Sequence, residues 1–166
     1  RALAEILRCL RSDGLFLGAL LGGDTLSELR QSLTNAVNPS TSELFPRVAP
    51  FVQIRDLGDL MQRIGFTIVV VDVDYITVDY PDLFSLMKDL RKMGEGNALN
   101  ERCKHFTPRG LFTKATNLYP KHGNGPKGKI SAKFEVLYSI GWAPHPRQQQ
   151  PLRPGTGDSG LEKILG

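Results

Sequence analysis

The chain is short of the residues that staple or metallate small proteins. Its 166 residues include two cysteines, three histidines and one tryptophan. Cys9 and Cys103 cannot build a disulfide framework, which points to the reducing side of the cell or the mitochondrial matrix. The longest apolar stretch, Leu15 to Leu21, falls far short of the roughly 20 residues a membrane-spanning helix needs. A methionine start is missing as well: residue 1 is Arg, the first methionine is Met61, and no signal or transit segment precedes the first helical pattern. The chain therefore reads as a fragment or a processed piece of a longer one. What remains is ordinary for a globular protein, with 40% hydrophobic and 23% charged residues, and excludes a collagen, a coiled coil and a wholly disordered chain.

Charge is unevenly spread. Residues 1–97 hold 10 Lys and Arg against 13 Asp and Glu, a net of −3; residues 98–166 hold 11 against 4, a net of +7. A basic C-terminal third suits an acidic partner, or is a solvated face with a loose tail. Aromatic residues do not interleave with these basic ones as a base-stacking platform requires, so nucleic acid is not expected as a partner.

Leu3, Ile6, Leu7 and Leu10 recur at helical spacing, and Ser12-Asp13-Gly14 ends that helix. Leu15 to Leu21 is continuously apolar and predicts a strand covered on both faces, with a parallel neighbour upstream. Gly22-Gly23-Asp24-Thr25 follows, with Asp24 or Thr25 as N-cap of a helix carrying Leu26, Leu29 and Leu33. Leu57, Leu60, Met61 and Ile64 mark a helix closed by Gly65. Thr67 to Val73 is a β-branched strand that the alternation through Tyr80 extends. Pro81 starts another helix with Leu83, Leu86, Met87 and Leu90, ending near Gly94. A short helix falls around Leu111–Leu118, and Lys133 to Trp142 predicts a strand with Phe134, Val136 and Tyr138 on one face. Residues 143–166 read as a disordered tail. About three strands are too few to bury one another, so the sheet is expected to lack partners.

Several of these segments resemble a known family. A helix, Ser-Asp-Gly and an apolar strand open the second half of class I S-adenosylmethionine-dependent methyltransferases. Gly22-Gly23-Asp24-Thr25-Leu26 with Glu28-Leu29-Arg30, then Pro50-Phe51, Asp56-Leu57, Leu60, Arg63, Gly65 and Phe66 follow in order. Leu86-Met87, Asp89-Leu90, Met93-Gly94-Glu95 and Asn97, then Tyr138 and Ile140-Gly141-Trp142, complete the series. Their order and spacing are similar to those of the mitochondrial complex I assembly factors of this superfamily, which are arginine hydroxylases. Malonyl-carrier-protein O-methyltransferases of biotin synthesis are similar more loosely.

The resemblance covers residues 1–142 and implies an α/β fold, the C-terminal part of a doubly wound methyltransferase-like sheet with flanking helices. It implies S-adenosylmethionine as cofactor, a protein substrate that is a complex I subunit, and a place in the mitochondrial matrix or at the inner-membrane face. Hydroxylation further requires an oxidant that the sequence does not reveal. The alternatives are O-methylation of a carrier-bound malonyl group and, from another class, a non-catalytic assembly module. The cofactor half of such a fold carries a glycine-rich turn after one strand and an acidic residue after the next. This sequence contains neither, so no cofactor-binding residue is assigned and the chain alone is expected to be inactive.

Catalytic residues are not assigned either. The substrate-pocket candidates are Gly22, Gly23 and Asp24, past the carboxyl end of a strand where open α/β sheets bind ligands. The alternative there is a plain turn with Asp24 as a cap. Lys88, Arg91 and Lys92 either contact an acidic substrate or form a solvated face favoured by the helix dipole. Asn97 either orients substrate or serves a turn. Asp72, Asp74 and Asp79 lack a loop of ligand spacing, and Cys103 with His105 lacks a completing pair, so no metal site is expected. Nothing in the sequence resembles a Ser-His-Asp arrangement.

Overall fold

In a computed structural model of the chain, residues 1–37, 46–102, 106–122 and 128–149 are described; Cys103, His105 and positions 150–166 of the expected tail lie outside them. Among the described residues the elements run α1 (Ala2–Cys9), β1 (Leu15–Leu21), α2 (Ser27–Ala36), α3 (Ile54–Ile64), β2 (Thr67–Tyr80), α4 (Leu83–Lys92), α5 (Arg109–Leu118), β3 (Lys121–His122) and β4 (Lys129–Trp142). The fold is α/β, consistent with part of a methyltransferase-like domain.

The sheet has the order β1-β4-β2, with β3 also on β4. Every pairing between these strands is antiparallel: Leu17 faces Ile140, Val70 faces Ile140 from the other side, and Lys121 faces Ile130; just past β1, Gly22 makes an isolated parallel bridge to Val52. β1 and β2 therefore run the same way with β4 between them. The parallel neighbour expected for β1 is absent among the described residues, where its second edge is unpaired. A fourth short strand, β3, was illegible because two exposed polar residues carry no periodicity.

Each helix forms for a local reason. α3 buries Leu57 and Met61, four residues apart on one face. It ends at Gly65, whose φ of +110° lets the Gly65 and Phe66 amides turn back onto the Met61 carbonyl. α4 starts where the Asp82 side chain accepts the Ser85 amide at 2.8 Å, so Asp82 caps the helix behind the Pro81 break.

The sheet's two faces are covered at opposite ends. On one face α1 and α3 close over Leu137, Phe16, Leu20, Val69, Val71 and Val73. On the other, α2, α4 and α5 close over Ile130, Ala132, Phe134 and Tyr80. Beyond that second cluster the same face is bare. Leu15, Leu17, Val70 and Tyr138 are 46%, 66%, 51% and 44% exposed. This corrects the expectation that β1 is buried on both faces: its residues alternate between exposed and half-buried up to Leu20. The apolar composition of β1 reflects a face that these helices do not reach.

Tyr119 closes the second cluster. It is buried, and its hydroxyl donates to the Ser131 carbonyl at 2.9 Å. Burial, with a lesser contribution from the Glu28 charge, pushes its pKa up to about 12. In the unfolded chain the same phenol ionises near 10. The folded state thus holds the proton where the unfolded state has lost it. Stability from this group is whole below pH ~10 and lost as pH rises through about 12, at a limiting slope on the order of 1.4 kcal/mol per pH unit. Urea denaturation between pH 9 and 12 should show this decline, and Tyr119→Phe should flatten it relative to wild type.

Candidate functional site

The turn after β1 is built around one buried acid. Glu135, on β4, is 3% exposed. Its carbonyl accepts the Gly22 amide at 2.8 Å, and its side-chain Oε2 accepts the Asp24 amide at 2.6 Å. Thr25 Oγ1 accepts the Glu135 amide at 3.1 Å and donates to the Glu135 carbonyl at 3.1 Å. The Leu26 amide donates to the Lys133 carbonyl at 2.8 Å. Leu26 is thereby held at φ 55° as the residue preceding α2, a left-handed conformation that a non-glycine residue adopts only when its surroundings impose it. Neither Asp24 nor Thr25 caps the helix, contrary to the sequence expectation; Thr25 is spent on β4, and Asp24 points its carboxylate toward Lys133 Nζ at 4.0 Å.

The glycines of this turn are filled by protein. A Cβ on Gly22 would meet the Glu135 Cδ at 2.7 Å and the Leu137 Cγ at 2.9 Å, and one on Gly23 would collide with the Gln53 side chain. A phosphate- or nucleoside-binding glycine turn instead leaves its backbone open to the ligand. The residues present therefore do not fit S-adenosylmethionine, and no step is assigned to it on these residues.

Two cavities lie beside the turn. A partly enclosed one of about 320 Å3 is walled by Leu26, by Leu29 and Leu33 of α2 and by Phe112 of α5, with Arg47, Arg91, Arg102, Glu95 and Asn97 as polar lining. A more open groove of about 610 Å3 runs along Ala19, Leu20 and Leu21 of β1 to Pro50, Phe51 and Val52. Leu21, Phe51 and Glu95 line both. Of the seven candidate residues, Arg91 and Asn97 thus face the partly enclosed cavity. Gly22, Gly23 and Asp24 follow Leu21 in the chain but line neither cavity. Lys88 is exposed and outside both cavities, and Lys92 sits 3.9 Å from Asp89 on the surface of α4.

Asn97 works as a clamp. Its Nδ2 donates to the Pro46 carbonyl at 2.7 Å, and its Oδ1 accepts the Leu99 amide at 3.1 Å. It ties the loop after α4 to the segment carrying Arg47. Sequence reasoning missed Arg47, Glu95, Arg102 and Glu135 as site residues. The first three stand in aperiodic segments. Glu135 follows the outward alternation of a strand, and only its register opposite the turn reveals its role.

Three further residues come together unexpectedly. His122 Nε2 lies 3.0 Å from Asp79 Oδ1, Ser131 Oγ donates to the same oxygen at 2.7 Å, and Ser131 Oγ also contacts His122 Nε2. This is a Ser-His-Asp cluster that the sequence gave no reason to expect, yet it is not a relay. In a relay the hydroxyl and carboxylate occupy opposite ring nitrogens. Here both meet Nε2, while Nδ1 faces the Lys129 carbonyl at 2.9 Å, an acceptor that only an N–H can satisfy. The cluster fastens β3 to the sheet. Asp72 and Asp74 each accept the amide of the following residue at 2.8 Å, and no group of three metal-ligating side chains occurs among the described residues.

The packing of Gly22 is testable. Gly22→Ala should destabilise the chain by about 1–3 kcal/mol in urea unfolding, the usual cost of overpacking against buried side chains. Gly96→Ala, with nothing within 4 Å of the added carbon, should leave the midpoint within about 0.5 kcal/mol.

No protein-family model matches the chain. Among curated proteins it is 40% identical over 156 residues to the human "Arginine-hydroxylase NDUFAF5, mitochondrial", a match covering 94% of this chain and 45% of that protein. The protein of the same name from Dictyostelium discoideum is 40% identical over 161 residues, covering 96% of this chain and 36% of its own length. A "Malonyl-[acyl-carrier protein] O-methyltransferase" from Nitrosospira multiformis is 36% identical over 143 residues, 86% of this chain and 44% of the enzyme. The chain thus spans less than half the length of these relatives. Over nearly all of its own residues it is a homologue of the NDUFAF5 arginine hydroxylases and, at lower identity, of the malonyl O-methyltransferases, as the order of its motifs implied.

Proposed function

We propose that this chain forms the substrate side of a mitochondrial, S-adenosylmethionine-binding, methyltransferase-like enzyme that hydroxylates an arginine of a protein, a subunit of respiratory complex I. It acts at the matrix side of the inner membrane, and the described residues contain no helix long and apolar enough to cross it. The observation that carries this reading is identity of 40% over 94–96% of the chain to two proteins named as mitochondrial arginine hydroxylases. The cofactor is held by a part of the enzyme other than residues 1–149, because the Gly22-Gly23 turn is packed by Gln53 and Glu135.

Within this reading the border of the open groove receives the substrate. Glu95 supplies a carboxylate there, Asp24 supplies a second on the turn that follows Leu21, and a guanidinium seeks such acceptors. Asp24 is more than half exposed, and its carboxylate is paired with Lys133 Nζ at 4.0 Å, a long contact that a ligand can displace. Asn97 and Glu135 are positioning residues that fix the loop and the turn. The bare face of β1 and β2, with the unpaired edge of β1, is where the cofactor-holding part docks: it presents apolar side chains and backbone groups that need partners.

The test is a chimera in which this chain replaces the 156 matching residues of the human relative, expressed in cells lacking that relative. Mass spectrometry of complex I subunits should recover an arginine peptide heavier by one oxygen atom. Asp24→Ala should lower that signal at least about tenfold while the chimera's melting temperature stays within a few degrees. Calorimetry should show S-adenosylmethionine binding to the chimera and none to the chain alone. A folded, imported chimera that binds the cofactor and leaves every arginine unmodified would exclude the assignment.

A further inference from the structure

The arginine-lined cavity carries charge of one sign that the described residues do not balance. Arg47, Arg91 and Arg102 line it against a single carboxyl side chain, Glu95, and none of these four takes part in an ion pair among the described residues. Arg47 is held in place: its Nη1 donates to Thr107 Oγ1 at 2.8 Å. Its Nε is buried and has no hydrogen-bond partner among the described residues. The Arg47 guanidinium thus stays in place against the cavity wall with its charge unneutralised by any carboxylate among the described residues. Arg102 keeps one Nη on the Leu99 carbonyl at 2.8 Å, and its remaining N–H groups have no partner among the described residues.

The rest of the lining is apolar. Leu26 and, in α2, Leu29 and Leu33 are buried in its wall, with Phe112 beside them. A ligand matching this lining has one anionic head and an apolar body. A guanidinium is disfavoured by the same three arginines, so the interior of this cavity is not the arginine site proposed above, with which it shares the charged residue Glu95, and the inference does not depend on that proposal. The flat fork of an arginine matches a carboxylate through two parallel hydrogen bonds. The volume of about 320 Å3 lies at the small end of the roughly 300–1,000 Å3 typical of small-molecule pockets, which suits a chain of medium length.

We propose that this cavity, between α2, α5, the end of α4 and the Arg47 segment, binds a medium-chain fatty carboxylate. The carboxylate sits on Arg47 and Arg91, with Arg102 at the mouth, and the chain lies along the leucines of α2. Binding would tie α2, the loop after α4 and α5 to one another, so occupancy reports on the geometry of the turn that Glu135 holds.

Calorimetry of the 166-residue chain with sodium decanoate, below its micellar range, tests this directly. Saturable one-to-one binding with a micromolar dissociation constant is expected, together with a rise in melting temperature. Decylamine should give no saturable heat, and malonate, which has the charge without the chain, should not bind. Arg91→Glu and Arg102→Glu change exposed positions, so the fold should persist by circular dichroism while decanoate binding weakens at least about tenfold. Several outcomes would overturn the proposal: decylamine binding as tightly as decanoate, both charge reversals leaving the affinity unchanged, or malonate binding in preference. Decyl phosphate binding more than about tenfold tighter than decanoate would overturn the carboxylate assignment. Binding only to vesicles of anionic phospholipid, with no response to monomeric decanoate, would show a membrane surface instead and equally exclude it.

Discussion

The contact between Glu135 and the turn at Gly22–Leu26 is the constraint on which the rest of the structure depends. One residue of the central strand accepts or donates four of the hydrogen bonds that shape this turn, through its amide, carbonyl and side chain. The turn sets the left-handed Leu26, and Leu26 sets the direction of α2. α2 in turn forms one wall of the arginine-lined cavity and packs on α5. Burying a carboxyl group is expensive unless its oxygens find donors. Here Oε2 receives the Asp24 amide, and the side chain fills the space that a Cβ on Gly22 would need. Acid and glycine therefore require one another.

The central strand also explains the division of the molecule into two cores. β4 is long enough for α1 and α3 to cover one face near its end and for α2, α4 and α5 to cover the other near its start. What is left over is an apolar surface on β1 and β2 and an open edge on β1. The relatives are more than twice as long as the matched region, and the proposed docking of a cofactor-holding part uses this bare face. The arginine-lined cavity lies toward the opposite end of the same face, so an apolar surface and a charged pocket share one sheet.

Much of this was legible in the sequence. Amphipathic periodicity located α1, α3 and α4, and β-branched and alternating runs located β2 and the end of β4. The Gly65 stop and the position of the turn after β1 were also readable, because glycine and short polar clusters interrupt the chain for local reasons. Pairing was not legible. Leu15–Leu21 has the composition of a buried parallel strand, and nothing local tells it that its neighbour is antiparallel or that a face stays bare. The same holds for Glu135, Arg47 and Arg102, whose roles depend on which residues the register and the loops bring opposite them. Asp79, His122 and Ser131 are far apart in sequence and meet only because β2, β3 and β4 share an edge of the sheet. Asn97 was expected either to orient substrate or to serve a turn; its side chain joins two loops at the lining of the cavity, a tie between distant segments that no local pattern announces.

Hydrogen exchange at single-amide resolution, comparing wild type with Glu135→Ala, addresses the central claim most directly. The Asp24 amide should be protected in wild type and should exchange at least roughly tenfold faster in the variant, while amides in the β2–β4 ladder remain protected. An Asp24 amide that exchanges freely in wild type, or that is indifferent to the loss of the Glu135 side chain, would contradict the account.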